Sequence, residues 1–172
     1  MYNRLTKNKK DSGFTLIEMV VTVGIIGIVA AIAIPGFSVW LPNYRLKTAV
    51  QDLFSNMQLA KMDAIRANDN YKIKFITTNG TYQVIRIYDD TTETIEKTVN
   101  LPDYGSGVAY GGPDPGDDVG YNGEDIIFTP RGMTDEDANW VFLTNDKGRC
   151  YRVGTLRSGV IRIQRYDDGW PS

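Results

Sequence analysis

The side chains that most often carry catalysis are scarce in this sequence. Its 172 residues include no histidine and one cysteine, Cys150. Without histidine there is no Ser-His or Cys-His couple and no imidazole metal ligand. A lone thiol excludes an internal disulfide, a Cys-cluster zinc site and CxxC redox chemistry. Asp114, Asp117 and Asp118, in PDPGDDVG, offer the hard oxygens that calcium takes. Their spacing matches no EF-hand, and calcium wants about six to eight oxygens, so they read as a solvated acidic loop. Arg149, Arg152, Arg157, Arg162 and Arg165 gather near the C-terminus beside Tyr151, Tyr166 and Trp170. Interleaved arginines and aromatics can track a nucleic-acid backbone. Here they read better as a charged strand face, since net charge is −12 over residues 89–146 and +4 over 147–172. No two aspartates are pinned in register for acid–base hydrolysis. The expectation is a protein that is not an enzyme, with no cofactor and no resident metal.

One carboxylate stands apart. Residues 14–34 read FTLIEMVVTVGIIGIVAAIAI, and Glu18 is the only charge among them. As a helix this run is roughly 31 Å long, close to the hydrocarbon thickness of a bilayer. A net charge of +3 over residues 1–13 precedes it, which predicts a cytoplasmic N-terminus and an outward C-terminus. The run is too long for an ordinary signal peptide and apolar on all sides, unlike a buried core helix. A plain anchor would fit but for Glu18. A carboxylate inside a spanning segment costs a few kcal/mol, and no base lies within the run to offset it. Its partner must be another chain or a newly made cation.

KKDSG-FTLIE, an apolar stretch and then Pro35 resemble the class III signal of type IV pilins and type II secretion pseudopilins. The resemblance implies cleavage by a membrane peptidase between Gly13 and Phe14, followed by N-methylation of Phe14. It also implies an assembly role for Glu18. Physics agrees: cleavage creates an α-amine at Phe14, and a neighbour's Glu18 can pair with it when subunits stack, a paired buried charge being far cheaper than a lone one. Implied partners are other pilin or pseudopilin subunits, the prepilin peptidase/methyltransferase and the inner-membrane assembly machinery. The implied location is the bacterial inner membrane, single-pass, and then a pilus or pseudopilus.

These residues need elements to hold them. Pro35 and Pro42 predict kinks. Leu46, Val50, Leu53, Met57, Ala60 and Ala64 then follow helical spacing, widened by Ala49, Phe54 and Ile65, to a stop near 67–70. From Tyr71 the period becomes two. Strands are predicted at 71–76, 81–88, 92–99, 125–129, 139–144, 149–153 and 159–166, with a hairpin turn at Asn79-Gly80. Residues 102–123 read as one long loop. The predicted parts are a cleaved leader (1–13), a hydrophobic helix (14–42) and an α+β head (43–172) that folds alone, a spine helix on antiparallel sheet. Expected core residues are Leu46, Val50, Leu53, Met57, Phe75, Ile85, Phe128, Val141 and Phe142, with Cys150 buried as a small apolar residue. Within pilin-like proteins, residues 54–69, the F-x-P-x-G stretch 128–132 and Gly159–Arg162 resemble the GspH/FimT minor pseudopilin group. The alternatives are a competence minor pilin that binds DNA through Arg162 and Arg165, and a major filament subunit. DNA-binding members carry Gly-Arg-x-Arg, whereas this chain has Gly159-Val160-Ile161-Arg162. With the leader removed the net charge falls to −5, so nucleic acid is not an expected partner.

Overall fold

The computed structural model describes residues 13–89, 92–105, 107–114, 116, 118–121, 125–135, 139–167 and 169. The chain divides into two compact units, Met1–Ser38 and Val39–Ser172. One helix, α1 (Leu16–Ala67), contributes to both and is α-helical through Pro35 and Pro42. The prolines therefore do not interrupt the element. Each deletes one amide donor, which weakens a helix without having to end it. In the first unit the large apolar side chains from Phe14 to Phe37 lie exposed, and the segment is long and apolar enough to cross a membrane.

The second unit is α+β. Helix α1 ends at Ala67, and Asn68 takes φ 57°, the left-handed stop that asparagine tolerates. Eight strands follow: β1 (Asn70–Ile76), β2 (Thr81–Ile87), β3 (Glu93–Asn100), β4 (Ala109–Tyr110), β5 (Asp125–Phe128), β6 (Asn139–Thr144), β7 (Cys150–Thr155) and β8 (Ile161–Arg165). They form two antiparallel sheets, ordered β3-β2-β1-β5 and β4-β6-β7-β8. The β1–β2 connection is the four-residue turn 77–80, longer than Asn-Gly alone implies, with Gly80 at φ 68°. The stretch 102–123 is more than a loop. A 3-10 turn covers Leu101–Tyr104, β4 pairs with β6, and Val119 bridges Val141.

The core lies between the helix and both sheets. Leu46, Ala49, Val50, Leu53, Met57, Ala60 and Ala64 form the buried stripe of α1. Tyr71, Ile73 and Phe75 of β1, Tyr82 and Val84 of β2, and Ile126 and Phe128 of β5 meet it from one sheet; Val141, Leu143, Val153 and Ile161 meet it from the other. Phe75 is the junction, with its ring against Tyr82, Tyr110 and Tyr121 at centroid distances of 6.4, 6.3 and 6.0 Å. Tyr110 also donates its hydroxyl to Thr81 O at 2.9 Å, tying β4 to β2.

One expected core position needs correction, and a second is buried on the sheet face away from the helix. Phe142 is only half-buried, because Val141 and Leu143 occupy the inward side of β6 and alternation sends Phe142 outward. Ile85 is buried but stands outside the central cluster. It faces away from the helix, cross-paired with Lys72 and Ile95. Phe54 packs on the core edge, while Ile65 remains 50% exposed. Cys150 is buried, its Sγ 3.5 Å from Gly111 O.

A polar latch joins the helix to the first sheet. Asn56 donates from Nδ2 to Tyr82 Oη at 2.7 Å and accepts from Lys97 Nζ at 2.9 Å. Asn56→Ala leaves the buried Tyr82 hydroxyl without this donor and Lys97 without its acceptor. We expect a loss of about 2–3 kcal/mol in urea unfolding. The same latch carries a pH dependence. Burial pushes the Tyr82 phenol up to about 12, against a lowering by Asn56; burial, with the Glu96 hydrogen bond, does the same to Tyr71. An acid whose folded pKa is raised favours its neutral form in the fold. Its stabilisation is full below pH 10 and is lost as pH rises from 10 towards 12. Urea midpoints should fall across that window, and less steeply in Tyr82→Phe.

Candidate processing and assembly site

Gly13, Phe14 and Thr15 lie outside the helix. A Cβ built on Gly13 would meet nothing within 4 Å, and Phe14 is 85% exposed, so the Gly13–Phe14 bond is accessible. The helix starts two residues later because Thr15 caps it. Thr15 Oγ1 accepts the Glu18 amide at 3.3 Å, and Thr15 O accepts the Met19 amide at 3.2 Å. This is one half of a Thr-x-x-Glu capping box, and it satisfies an orphan donor of the first turn. The Thr-x-x-Glu spacing of Thr15 and Glu18 is the local signal for this cap.

The cap leaves Glu18 in the first turn, where the helix dipole favours a carboxylate. Its backbone is committed: the carbonyl accepts Thr22 Oγ1 at 2.5 Å. Its side chain is exposed, as are Phe14, Leu16, Ile17 and Met19 around it. Among the described residues no cation or donor engages the carboxylate. The arrangement is an acid on an apolar, unpacked helix, about one turn from the bond whose cleavage would free an amine.

The other sequence candidates do not converge. Asp114 is exposed, Asp118 turns Oδ1 onto the Val119 amide at 2.6 Å, and Asp117 lies outside the described residues. Among those residues no three His, Cys, Asp or Glu gather to hold a metal. The arginines spread over both faces of the second sheet. On β8, Ile161 points inward, so Arg165 shares its side and Arg162 takes the opposite one. Arg165 is held by Asp167, Nε to Oδ2 at 2.6 Å. Arg152 lies over the Trp140 ring at 4.2 Å and donates to Gln164 at 2.6 Å. Arg149 and Arg157 sit in exposed turns.

Residues 8–34 match the prokaryotic N-terminal methylation motif. Residues 49–159 match the type II transport protein GspH. The chain belongs to the GspH family. That match runs from the second half of α1 to Gly159 and so takes in nearly all of the core just described. Among solved structures, the minor pseudopilin EpsH of the Vibrio cholerae type 2 secretion system is similar at TM-score 0.53 and 12% identity. The alignment covers 70% of this chain and 97% of that one. The Pseudomonas aeruginosa type IV minor pilin FimU is similar at TM-score 0.54 and 12% identity, covering 77% and 96%. At such identity the likeness speaks for the fold: a long N-terminal helix packed on antiparallel sheet. No curated protein matches the chain. This GspH-family fold is that of a structural subunit, and the methylation motif takes in Phe14, just before α1, and Glu18 in its first turn.

Proposed function

We propose that this GspH-family chain is a minor pseudopilin or pilin-like subunit. A prepilin peptidase cuts it between Gly13 and Phe14 and methylates the new amine. The helix then holds it in the bacterial inner membrane, leader end in the cytoplasm and head outside, until assembly machinery adds it to a pseudopilus or pilus. The chain is substrate and building block in this scheme. Its own residues supply a cleavable bond, an apolar helix and a carboxylate.

The observation that carries the reading is Glu18: an acid with no partner among the described residues, on an apolar helix, one turn from the future α-amine. Pairing with that amine on a neighbouring subunit removes the cost of a lone intramembrane charge. It thereby favours the assembled state over the isolated one. Glu18→Ala should cut incorporation into filaments at least about tenfold, the equivalent of losing roughly 1.4 kcal/mol. Sheared filament fractions probed by immunoblot give the readout, and circular dichroism should show an unchanged head. Incorporation at the wild-type level would defeat the pairing mechanism.

A further inference from the structure

The aromatic side chains that open the second unit have no core to fill. Trp40 and Tyr44 are each 55% exposed, with their rings stacked at 5.2 Å between centroids and 18° between planes. Leu41, 38% exposed, flanks them on the same side of α1. The buried stripe that begins at Leu46 runs along roughly the opposite side, given 100° per residue. The stacked pair is thus an outward apolar patch with a polar edge, the indole N–H and the phenol hydroxyl. Side chains of this kind gather where hydrocarbon meets water.

Their place along the chain fits that boundary. The uncharged run sized to a bilayer ends at Ile34, and Trp40 follows six residues later, about 9 Å of helix. The headgroup layer adds roughly 5–8 Å beyond the hydrocarbon on each side; helical side chains lean back toward the N-terminus, so the Trp40 ring reaches that layer and Tyr44, stacked on it, lies at its outer edge. Lys47 comes next on that side of α1, while Arg45 lies half-buried against Gly105, and no acid stands between Glu18 and Asp52. That charge pattern suits phospholipid phosphates. It is continuous with the apolar helix, which makes a lipid surface a better match than a separate protein.

We propose that Trp40 and Tyr44 are an interfacial anchor, seated in the phospholipid headgroup layer, that sets how deeply the unassembled chain stands in the bilayer. The inference rests on the membrane-spanning reading above and adds the residues that fix its register. Loading the subunit into a filament must then lift this pair out of lipid.

The test uses the full chain in vesicles of phosphatidylethanolamine and phosphatidylglycerol. The chain has three tryptophans, so the Trp40 signal is taken as wild type minus Trp40→Phe. Lipids brominated near the headgroup should quench that signal at least about twofold more than lipids brominated near the chain ends, and aqueous iodide should quench it weakly. Free access to iodide with no lipid quenching would overturn the anchor. So would a signal that depends on protein density and ignores brominated lipid, which would assign the patch to a second copy. Resistance to carbonate extraction reports the span separately. A chain that resists carbonate but fails the quenching test loses the anchor and keeps the span.

Discussion

Gly13→Arg should accumulate as uncleaved precursor, with no mature band on an immunoblot, in cells that process the wild-type chain. Gly13 is exposed, outside the helix, and without neighbours that a side chain would strike. The substitution therefore leaves the rest of the chain unperturbed. What it changes is the residue presented to the peptidase, immediately before Phe14. Retention of the leader also keeps Phe14 acylated, so no α-amine forms and Glu18 has no cation to meet. Incorporation should fail together with cleavage. Normal processing of this variant would remove the basis for both steps.

Gly159→Ala should be among the most damaging single substitutions in the head. Gly159 is buried at φ 74°, and an added Cβ would run into the backbone carbonyl of Gly132. The neighbourhood cannot yield easily. Lys61 Nζ donates to Gly159 O at 2.9 Å, Thr134 N to Arg157 O at 3.2 Å, and Gly132 itself abuts Ile65 and Lys61. Left-handed backbone alone costs an alanine about 1–2 kcal/mol. Overlap with a fixed carbonyl should bring the total to about 3–5 kcal/mol. Gly148→Ala is the control, at φ 73° with nothing within 4 Å; it should show the backbone cost only. Thermal unfolding of the full chain should place Gly159→Ala about 10 °C or more below wild type. Equal effects of the two substitutions would show that the contact with Gly132 carries no weight.

That contact also explains a pattern seen in the sequence without a reason. Phe128, Pro130 and Gly132 on one side, and Gly159 on the other, carry part of the resemblance to the GspH/FimT group. In the fold they are two turns pressed together beside Lys61 of α1. Only the tertiary structure supplies the cause, because the partners are 27 residues apart and share no local periodicity.

The sequence by itself determined the features that rest on local physics. Twenty-one nearly uncharged residues after a basic flank specify a membrane-length helix, and Glu18 is the one charge within them. Period 3.6 from Leu46 to Ala64 and period two from Tyr71 onward specify the α+β order and most of the core, because burial of one face imposes that repeat on any helix or strand. Tertiary structure decided what depends on distant residues. It split the strands into two sheets, made β4 and a bridge at Val119 out of an apparent loop, and turned Phe142 outward and Ile85 away from the helix. It spread Arg162 and Arg165 over opposite faces. Pairing partners and the side of a sheet that meets the helix are set by contacts between segments, and no stretch of chain contains that information alone.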